Sequence, residues 1–433
     1  MFSELTIVNP KRNQDISKGR GEALFPYYAG YSTKFAEKLI ESLNMPGGSL
    51  ILDPWNGSGT TTSSAIKSGL RALGVDLNPV MIIVAKASLV SRLDIDNLVP
   101  IAHSIIRKAE SLPHPRGKSE PLQRWFSPKS ASTMRNIEKS INVNLVNADE
   151  YIYLKNDENL SKLTPLAAFF YLCLFRAVRR LASDFIPSNP TWIRAPKTKT
   201  ERKRPKQLII QENFINEVIS LSKNINSFLD APETLYDVEL KLCNSENLPF
   251  ETGSVDTIIT SPPYCTRIDY AVATYIELAI IGIDEKEFDT LRRSLTGTST
   301  VRNFITAVPE QWGPTCQKFL ADVYSHPSKA SQTYYYKNHL QYFESLWKSL
   351  NEASRVLRND STCVLVVQNS HYKEIYNDIA TICTEMFCEL SLKLLRREDF
   401  FAKRTMASLN KNSRKYIKTR GTTESVLCFR KID

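Results

Sequence analysis

Ser49-Leu50-Ile51-Leu52-Asp53-Pro54-Trp55-Asn56-Gly57-Ser58-Gly59-Thr60-Thr61 runs from an apolar stretch straight into a glycine-rich turn. Residues 49–53 have the length and apolar content of a buried strand, and residues 58–69 carry a helical pattern closed by Gly69. Gly57 and Gly59 let the backbone of the turn approach a ligand closely. The helix start beyond them offers unpaired N–H groups. Working outward, residues 72–76 (ALGVD) form a second strand and residues 79–90 a second helix. Asp76 ends that strand, where an acid can accept hydrogen bonds from ribose hydroxyls. A β-α-β-α run with these two features predicts the start of a doubly wound α/β sheet carrying a nucleoside site.

Further along, the pattern changes twice. Residues 94–232 show no strand ladder, but 101–112, 131–141, 163–185 and 213–229 place apolar residues at helical spacing. Strands return at 238–242 and 255–260. Residues 285–331 read as polar and irregular. A helix at 338–357, strands at 362–367, 389–395 and 424–430, and a helix at 373–387 complete the alternation. The expected organisation is one sheet split by a mainly helical insertion: residues 21–93 and 236–433 form the two parts of the sheet domain, the latter with a smaller insertion at about 285–331. Residues 94–235 form the insertion.

A 433-residue chain with 42% hydrophobic and 24% charged residues is an ordinary globular protein, which excludes wholesale disorder. Its net charge of +10 favours an acidic partner such as nucleic acid. Two segments concentrate that charge. Residues 194–206 hold seven cations and one acid, and residues 396–420 hold nine cations and two acids with Phe400, Phe401 and Tyr416 interleaved. No two of the eight cysteines share a C-x-x-C spacing, so no zinc ribbon and no other metal site is expected. Most sit in apolar runs, which points to a reducing compartment. The apolar stretch 163–175 is too short, and too close to Arg176, Arg179 and Arg180, to span a bilayer. Residues 1–20 lack an apolar segment of signal-peptide length. A soluble cytoplasmic protein without a membrane partner is expected.

A second motif, Thr260-Ser261-Pro262-Pro263-Tyr264, follows the strand at 255–260, whose end faces the ligand crevice of such a sheet. Two prolines stiffen the backbone and leave carbonyls outside any ladder. A Ser hydroxyl and a Pro carbonyl can accept both protons of an exocyclic amine and free its lone pair for attack on a methyl group. Tyr264 can stack on a base, worth about 1–3 kcal/mol. Cys265 reads as a small packing residue, Arg267 and Tyr270 as the pocket mouth or the strand contact, and His371 as a surface or loop histidine.

Together these segments resemble the amino-group-specific DNA methyltransferases, which use S-adenosylmethionine (AdoMet) to make N4-methylcytosine or N6-methyladenine. DPWNGSGTT resembles their motif I, GVDLNP their motif II, and TSPPY their catalytic motif IV. Phe25-Pro26-Tyr27-Tyr28-Ala29-Gly30-Tyr31-Ser32-Thr33-Lys34-Phe35 resembles motif X, and Asn244-Ser245-Glu246-Asn247-Leu248-Pro249-Phe250 stands where motif III belongs. Family members carry an Asp there, and here the position is Ser245. The resemblance implies an α/β fold, a doubly wound AdoMet-methyltransferase (Rossmann-like) sheet. It implies cofactor contacts from Phe25, Tyr31, Asp53, Pro54, Asn56, Gly57, Ser58, Gly59, Thr60, Asp76, Leu77, Asn78 and Ser245. It implies catalytic roles for Ser261, Pro262, Pro263 and Tyr264, the target base being extruded from double-stranded DNA against Tyr264.

SPPY is commoner among the cytosine-N4 enzymes of this family, so cytosine N4 is the expected target and adenine N6 the first alternative. A guanine-N2 tRNA methyltransferase and a non-catalytic AdoMet-fold binder of nucleic acid remain as further readings. Residues 94–235, with Arg124-Trp125-Phe126 and the basic segment 194–206, are the expected target-recognition region. The resemblance also implies a prokaryotic, nucleoid-associated enzyme with a partner restriction endonuclease.

Overall fold

Seven strands build one sheet in the order β3-β2-β1-β4-β5-β9-β8. The computed structural model describes residues 4–11, 24–25, 30–113, 120–147, 150–187, 192–225, 238–265, 268–301, 307–402 and 422–432. The strands are β1 (Leu50–Asp53), β2 (Arg71–Asp76), β3 (Val238–Leu242), β4 (Val255–Thr260) and β5 (Leu357–Gln368). A separate hairpin, β6 (Ser370–Tyr372) and β7 (Ile375–Asn377), precedes β8 (Leu392–Ala402) and β9 (Thr422–Lys431). All pairings in the main sheet are parallel except those of β9, which is antiparallel to β5 and β8. The order reverses between β1 and β4. The crevice beyond the C-terminal ends of those two strands is therefore the topological switch point, where ligands of open α/β sheets bind.

The sheet is buried on both faces, as parallel sheets require. In β5, Val364 and Val366 pack with Phe35 and Leu39 of α1 (Thr33–Leu43) and with Ala65 and Ile66 of α2 (Thr60–Lys67). Cys363, Leu365 and Val367 pack the other way, on the helices that close the chain's second half. α1 starts where the Ser32 hydroxyl accepts the Phe35 N–H. α3 (Pro79–Ala87) starts at Asn78, whose side chain accepts the Val80 N–H, with Pro79 at the first helical position.

Between β2 and β3 the chain forms α4 (Ile95–Ser111), α5 (Pro128–Leu145), α6 (Asp157–Ser161), α7 (Pro165–Leu181) and α8 (Gln207–Ile225). α7 is their centre, with Phe169, Phe170 and Phe175 fully buried. That core also takes in α3 and the helices after the proline motif: α9 (Tyr270–Ala273), α10 (Tyr275–Ile280) and α11 (Glu285–Ser294). Buried charges tie these parts together. Arg179 donates to Glu277 at 2.6 Å, and Arg135 reaches Glu120, Glu138 and the Ala279 carbonyl. Such pairs hold only because every partner is satisfied.

Two sequence expectations need correction. Residues 285–331 are not irregular: they contain α11 and α12 (Gly313–Ser325). α11 is fixed by a capping box in which Asp284 and Glu287 satisfy each other's backbone N–H groups. The helix expected at 373–387 begins only at α14 (Ile379–Glu389), because Asp378 caps it and residues 375–377 pair with β6. The long α13 (Tyr336–Val356) precedes β5 as expected. All eight cysteines are free. Among the described residues, no helix is long and apolar enough to cross a membrane.

Candidate active site

A cleft with about 880 Å³ of empty space, open solvent included, lies at the switch point. One wall is the turn after β1, where Asp53 is the hub. Thr260 Oγ1 donates to its Oδ1 at 2.5 Å and the Trp55 N–H at 3.1 Å, while Thr61 donates to Oδ2 and the Tyr31 hydroxyl lies at 3.5 Å. Burial pushes the Asp53 carboxyl up to about 6 against these bonds. Asp53 thus lines the cleft, but its oxygens are occupied by the protein itself. Pro54, Ser58 and Thr60 line the cleft beside it.

Asp76 differs. It accepts the Asn78 N–H at 2.8 Å and the Gly57 N–H at 3.1 Å, which joins the end of β2 to the glycine turn. Burial, and more weakly the neighbouring Asp53 charge, push it up to about 7. With the Leu77 N–H as a third, weaker donor, a carboxylate of about four lone-pair sites keeps room for a ligand hydroxyl. Asn56 is buried, its Oδ1 accepts Thr62 Oγ1 at 3.1 Å, and its Nδ2 has no hydrogen-bond partner among the described residues. The amide lies against Gly74 of β2, where an added Cβ would be 2.6 Å from Nδ2. Leu77 and the stretch Cys243, Asn244 and Ser245 line the same end of the cleft. The Ser245 hydroxyl, however, bonds Ser349 of α13 at 2.9 Å. These groups fit a nucleoside with a polar tail.

Two expected cofactor residues sit elsewhere. Gly59 is not part of the cleft lining: it has φ +83°, and a Cβ there would lie 3.0 Å from the Ala85 Cβ of α3. Its small size serves helix packing rather than ligand approach. Phe25 is buried under the Arg179 guanidinium, 5.4 Å from its ring centre, and does not line the cleft. Residues 26–29 of that motif lie outside the described residues, while Gly30 and Tyr31 line the cleft. Asn78 lines it too, but spends its side chain on capping α3 and on Thr274 at 2.8 Å.

The opposite wall is the proline motif. The parallel ladder of β4 and β5 ends at Thr260 and Leu365, so the next carbonyl on β5, Val366, has no strand partner on that side. Ser261 Oγ donates to it at 2.8 Å. With its proton committed there, the hydroxyl offers lone pairs to the cleft. No hydrogen bond reaches the Pro262 carbonyl among the described residues, whereas the Pro263 carbonyl accepts from the Tyr342 hydroxyl at 2.9 Å. The Tyr264 N–H donates to the Tyr270 hydroxyl at 3.0 Å. Ser261, Pro262, Pro263, Tyr264 and Tyr270 all line the cleft, on the side facing Asp76 and the glycine turn.

Sequence reasoning missed Met81, Leu295 and Thr296 on this lining, and Tyr342 and Val366 behind it. Cys265 is buried with its thiol 3.3 Å from His339 Nδ1, and His371 lies on β6 against Tyr376. Arg267 lies outside the described residues. Trp125 and Phe126 are fully buried, so neither presents a surface to a partner. Of the second basic segment, only residues 396–402 are described. There Arg396 pairs with Glu398 and Arg397 with Asp399 along β8.

A mainly parallel sheet of this order, with a cleft at its switch point and an acid closing β2, is an AdoMet-dependent methyltransferase fold. The DNA methylase family model (N6_N4_Mtase) matches residues 4–87, which carry α1 to α3 and the glycine turn. Type II methyltransferase M.BsoBI of Geobacillus stearothermophilus is 24% identical over 287 residues, covering 62% of this chain and 54% of that protein. Type II methyltransferase M.AvaI of Nostoc sp. is 22% identical over 404 residues, covering 86% and 78%. Type II methyltransferase M.MvaI of Kocuria varians is 23% identical over 366 residues, covering 78% and 74%. The chain thus spans about half the length of the first of these relatives. A solved SAM-dependent methyltransferase from Methanosarcina mazei covers 91% of this chain and 97% of its own at TM-score 0.30 and 8% identity, too slight a likeness to build on. Over residues 4–87 the chain thus matches the DNA methylase model, and over most of its length it is similar, at 22–24% identity, to Type II methyltransferases, which implies S-adenosylmethionine as the cofactor.

Proposed function

We propose that this protein is a site-specific DNA methyltransferase that modifies an exocyclic base amine, cytosine N4 by preference over adenine N6. The observation that carries this reading is the pair of acceptors at the loop: Ser261 Oγ, its proton held by Val366, beside the open Pro262 carbonyl. Two acceptors suit the two protons of an amine. Holding both protons draws the nitrogen towards tetrahedral geometry and makes its lone pair available. Tyr264 supplies a face for the extruded base. S-adenosylmethionine, when bound, supplies the methyl group. Asp76 would accept from its ribose, a reading supported by the position of Asp76, Asn56, Gly57 and Leu77 on the cleft lining. Catalysis is then largely positioning of the amine by the protein.

The duplex partner is supported by the strap of residues 192–206. It is fastened by its backbone: Lys203 N–H donates to the Trp125 carbonyl, Ser127 N–H to the Lys203 carbonyl, and Trp125 Nε1 to the Arg194 carbonyl, each at 2.8 Å. Lys203 pairs with Asp184, while Arg194, Lys197, Lys199, Arg204 and Lys206 are exposed beside Trp192, itself 44% exposed. Residues 94–235 are therefore the proposed target-recognition region, reading DNA at the nucleoid, with a restriction endonuclease as cognate partner.

The test is methyl transfer from labelled AdoMet to unmethylated DNA and to tRNA, followed by nucleoside analysis. N4-methylcytosine in DNA is expected. N6-methyladenine would overturn the choice of base, and N2-methylguanine in tRNA the choice of polymer. Ser261→Ala should lower transfer at least about 100-fold, the scale of losing one positioned polar group at a reacting centre, while AdoMet binding survives.

A further inference from the structure

The Pro263 carbonyl and the Tyr264 N–H belong to one peptide unit, and the chain contains no cis peptide bonds among its described residues. Tyr342 donates to one end of that plane and Tyr270 accepts from the other, at 2.9 and 3.0 Å. Both tyrosines are at least nine-tenths buried. We propose that Tyr342 and Tyr270 are positioning residues: they clamp this single peptide plane and so aim the Tyr264 ring and the Pro262 carbonyl at the target amine. This rests on the amine-methylating function proposed above.

The geometry makes the clamp specific. A peptide plane between a proline and a free residue can turn about the two bonds that flank it. Any such turn swings the Tyr264 ring, on one side, and the Pro262 carbonyl less directly, on the other. A hydrogen bond at one end leaves the plane a pivot, and bonds at both ends remove it. The Tyr342 hydroxyl also takes the Pro263 carbonyl out of competition, which leaves Ser261 Oγ and the Pro262 carbonyl as the acceptors at the loop.

The clamp is braced from a segment whose sequence reads as irregular. Gly297, φ +79°, fits beneath the Tyr264 carbonyl, where a Cβ would lie 3.0 Å from that oxygen. Its neighbours are held by α13 and the turn before it: Asn338 Nδ2 donates to the Thr298 carbonyl and the Tyr334 hydroxyl to the Ser299 carbonyl, both at 2.8 Å. Asp269, adjacent to Tyr270, accepts from Arg292 Nε at 2.7 Å and from Ser299 Oγ at 2.8 Å. Three elements distant in sequence thus converge on one peptide unit.

The experiment compares full-length wild type with Tyr342→Phe, Tyr270→Phe and the double variant, on unmethylated plasmid DNA. It measures kcat, KM for DNA and for AdoMet, AdoMet Kd by calorimetry, and Tm. Each single variant should lower kcat about 10-fold or more, since misplacing a reacting group by 1 Å can reduce rate about 100-fold. Both KM values and the AdoMet Kd should stay within about twofold of wild type. The double variant should fall short of the product of the two losses, because both bonds act on one plane. Gly297→Ala, which presses the Tyr264 carbonyl from below, should give the same loss of kcat alone. It tests the clamp independently if a tyrosine variant does not fold. Wild-type kcat in the variants, or AdoMet affinity lost in proportion to kcat, would overturn the clamp. Wild-type protein that transfers nothing to DNA would overturn the parent reading as well, so the two failures are distinguishable.

Discussion

The two walls of the cleft are built on different principles. On the cofactor wall, most of the contacts are local: Thr61 to Asp53 spans 8 residues, Gly57 to Asp76 spans 19, and Tyr31 to Asp53 spans 22, the distant exception being Thr260 to Asp53. On the proline wall, Ser261 is anchored to Val366, 105 residues on, and Pro263 to Tyr342, 79 residues on. The first wall is mostly built once β1, α2 and β2 have folded, with Tyr31 and Thr260 completing the bonds to Asp53. The second exists only when β5 and α13 are in place. Changes to the first should therefore show in cofactor affinity, and changes to the second in turnover.

Asp76→Ala is the strongest way to break that division. On the proposal that Asp76 accepts from the ribose, its loss should weaken AdoMet about 10- to 100-fold, the range for hydrogen bonds to a charged group. kcat at saturating AdoMet should be nearly retained. A large kcat loss with unchanged calorimetric affinity would refute it. The same group gives a pH dependence. Asp76 holds its proton up to about pH 7 in the free protein, and its ionised form is the better acceptor. AdoMet affinity should therefore rise from pH 6 to 8 and then level, and Asp76→Asn should flatten the profile. Stability of the cofactor-free protein runs the other way. The unfolded chain releases this proton in the ordinary carboxylate range, so between there and pH 7 the folded state binds more protons, and stability falls as pH rises.

Gly59→Ala probes the same wall through packing. An alanine at φ +83° against Ala85 should lower stability by about 2 kcal/mol, from the left-handed backbone alone about 1–2. Thermal unfolding would measure it. If AdoMet affinity falls with unchanged Tm, then Gly59 serves the ligand, and its assignment to helix packing fails.

The unequal legibility of the two walls has the same cause. β1, α2, β2 and α3 stand close to where the apolar pattern puts them, because each element's boundary is set by its own residues: Gly59 before α2, Asn78 and Pro79 before α3. That Asp53, Asp76 and Ser261 stand on one cleft is legible because each closes or follows a strand that ends at the switch point. What holds Ser261 is not, since nothing near it in sequence points to Val366. Gly59 reads as a ligand contact because glycine in a turn has two explanations, close approach of a ligand or of a helix, and only Ala85 in space decides between them. Residues 285–331 read as loop because charge outweighs periodicity there, although Asp284 and Glu287 already spell a capping box. Trp125 and Phe126, beside an arginine, suggest a surface. Their burial follows from the strap that crosses them.

Thr260→Val removes one of the bonds that join the walls, beside those of Tyr31 and Thr61 to the Ile259 carbonyl, and its effect should be the smallest. Thr260 Oγ1 donates to Asp53 Oδ1 from full burial, and Ser261 is the next residue. Valine keeps the shape and removes the donor, at about 1 kcal/mol for a buried acceptor that loses one of several partners. The size of the loss should depend on pH. Asp53 already stands at about 6 because burial outweighs its hydrogen bonds, of which that from Thr260 is the strongest in holding it down. Without it the carboxyl moves higher still. Above pH 7 the variant keeps a less well satisfied carboxylate and shows its full deficit. As pH falls towards 6 the proton itself replaces part of the missing bond, and the gap to wild type closes. Urea unfolding at pH 8 and pH 5.5 would measure both ends. Assays at pH 8 should show AdoMet affinity and kcat lowered together, each by a few-fold. A change in one without the other would mean that the walls are positioned independently, and that Asp53 organises only the cofactor side.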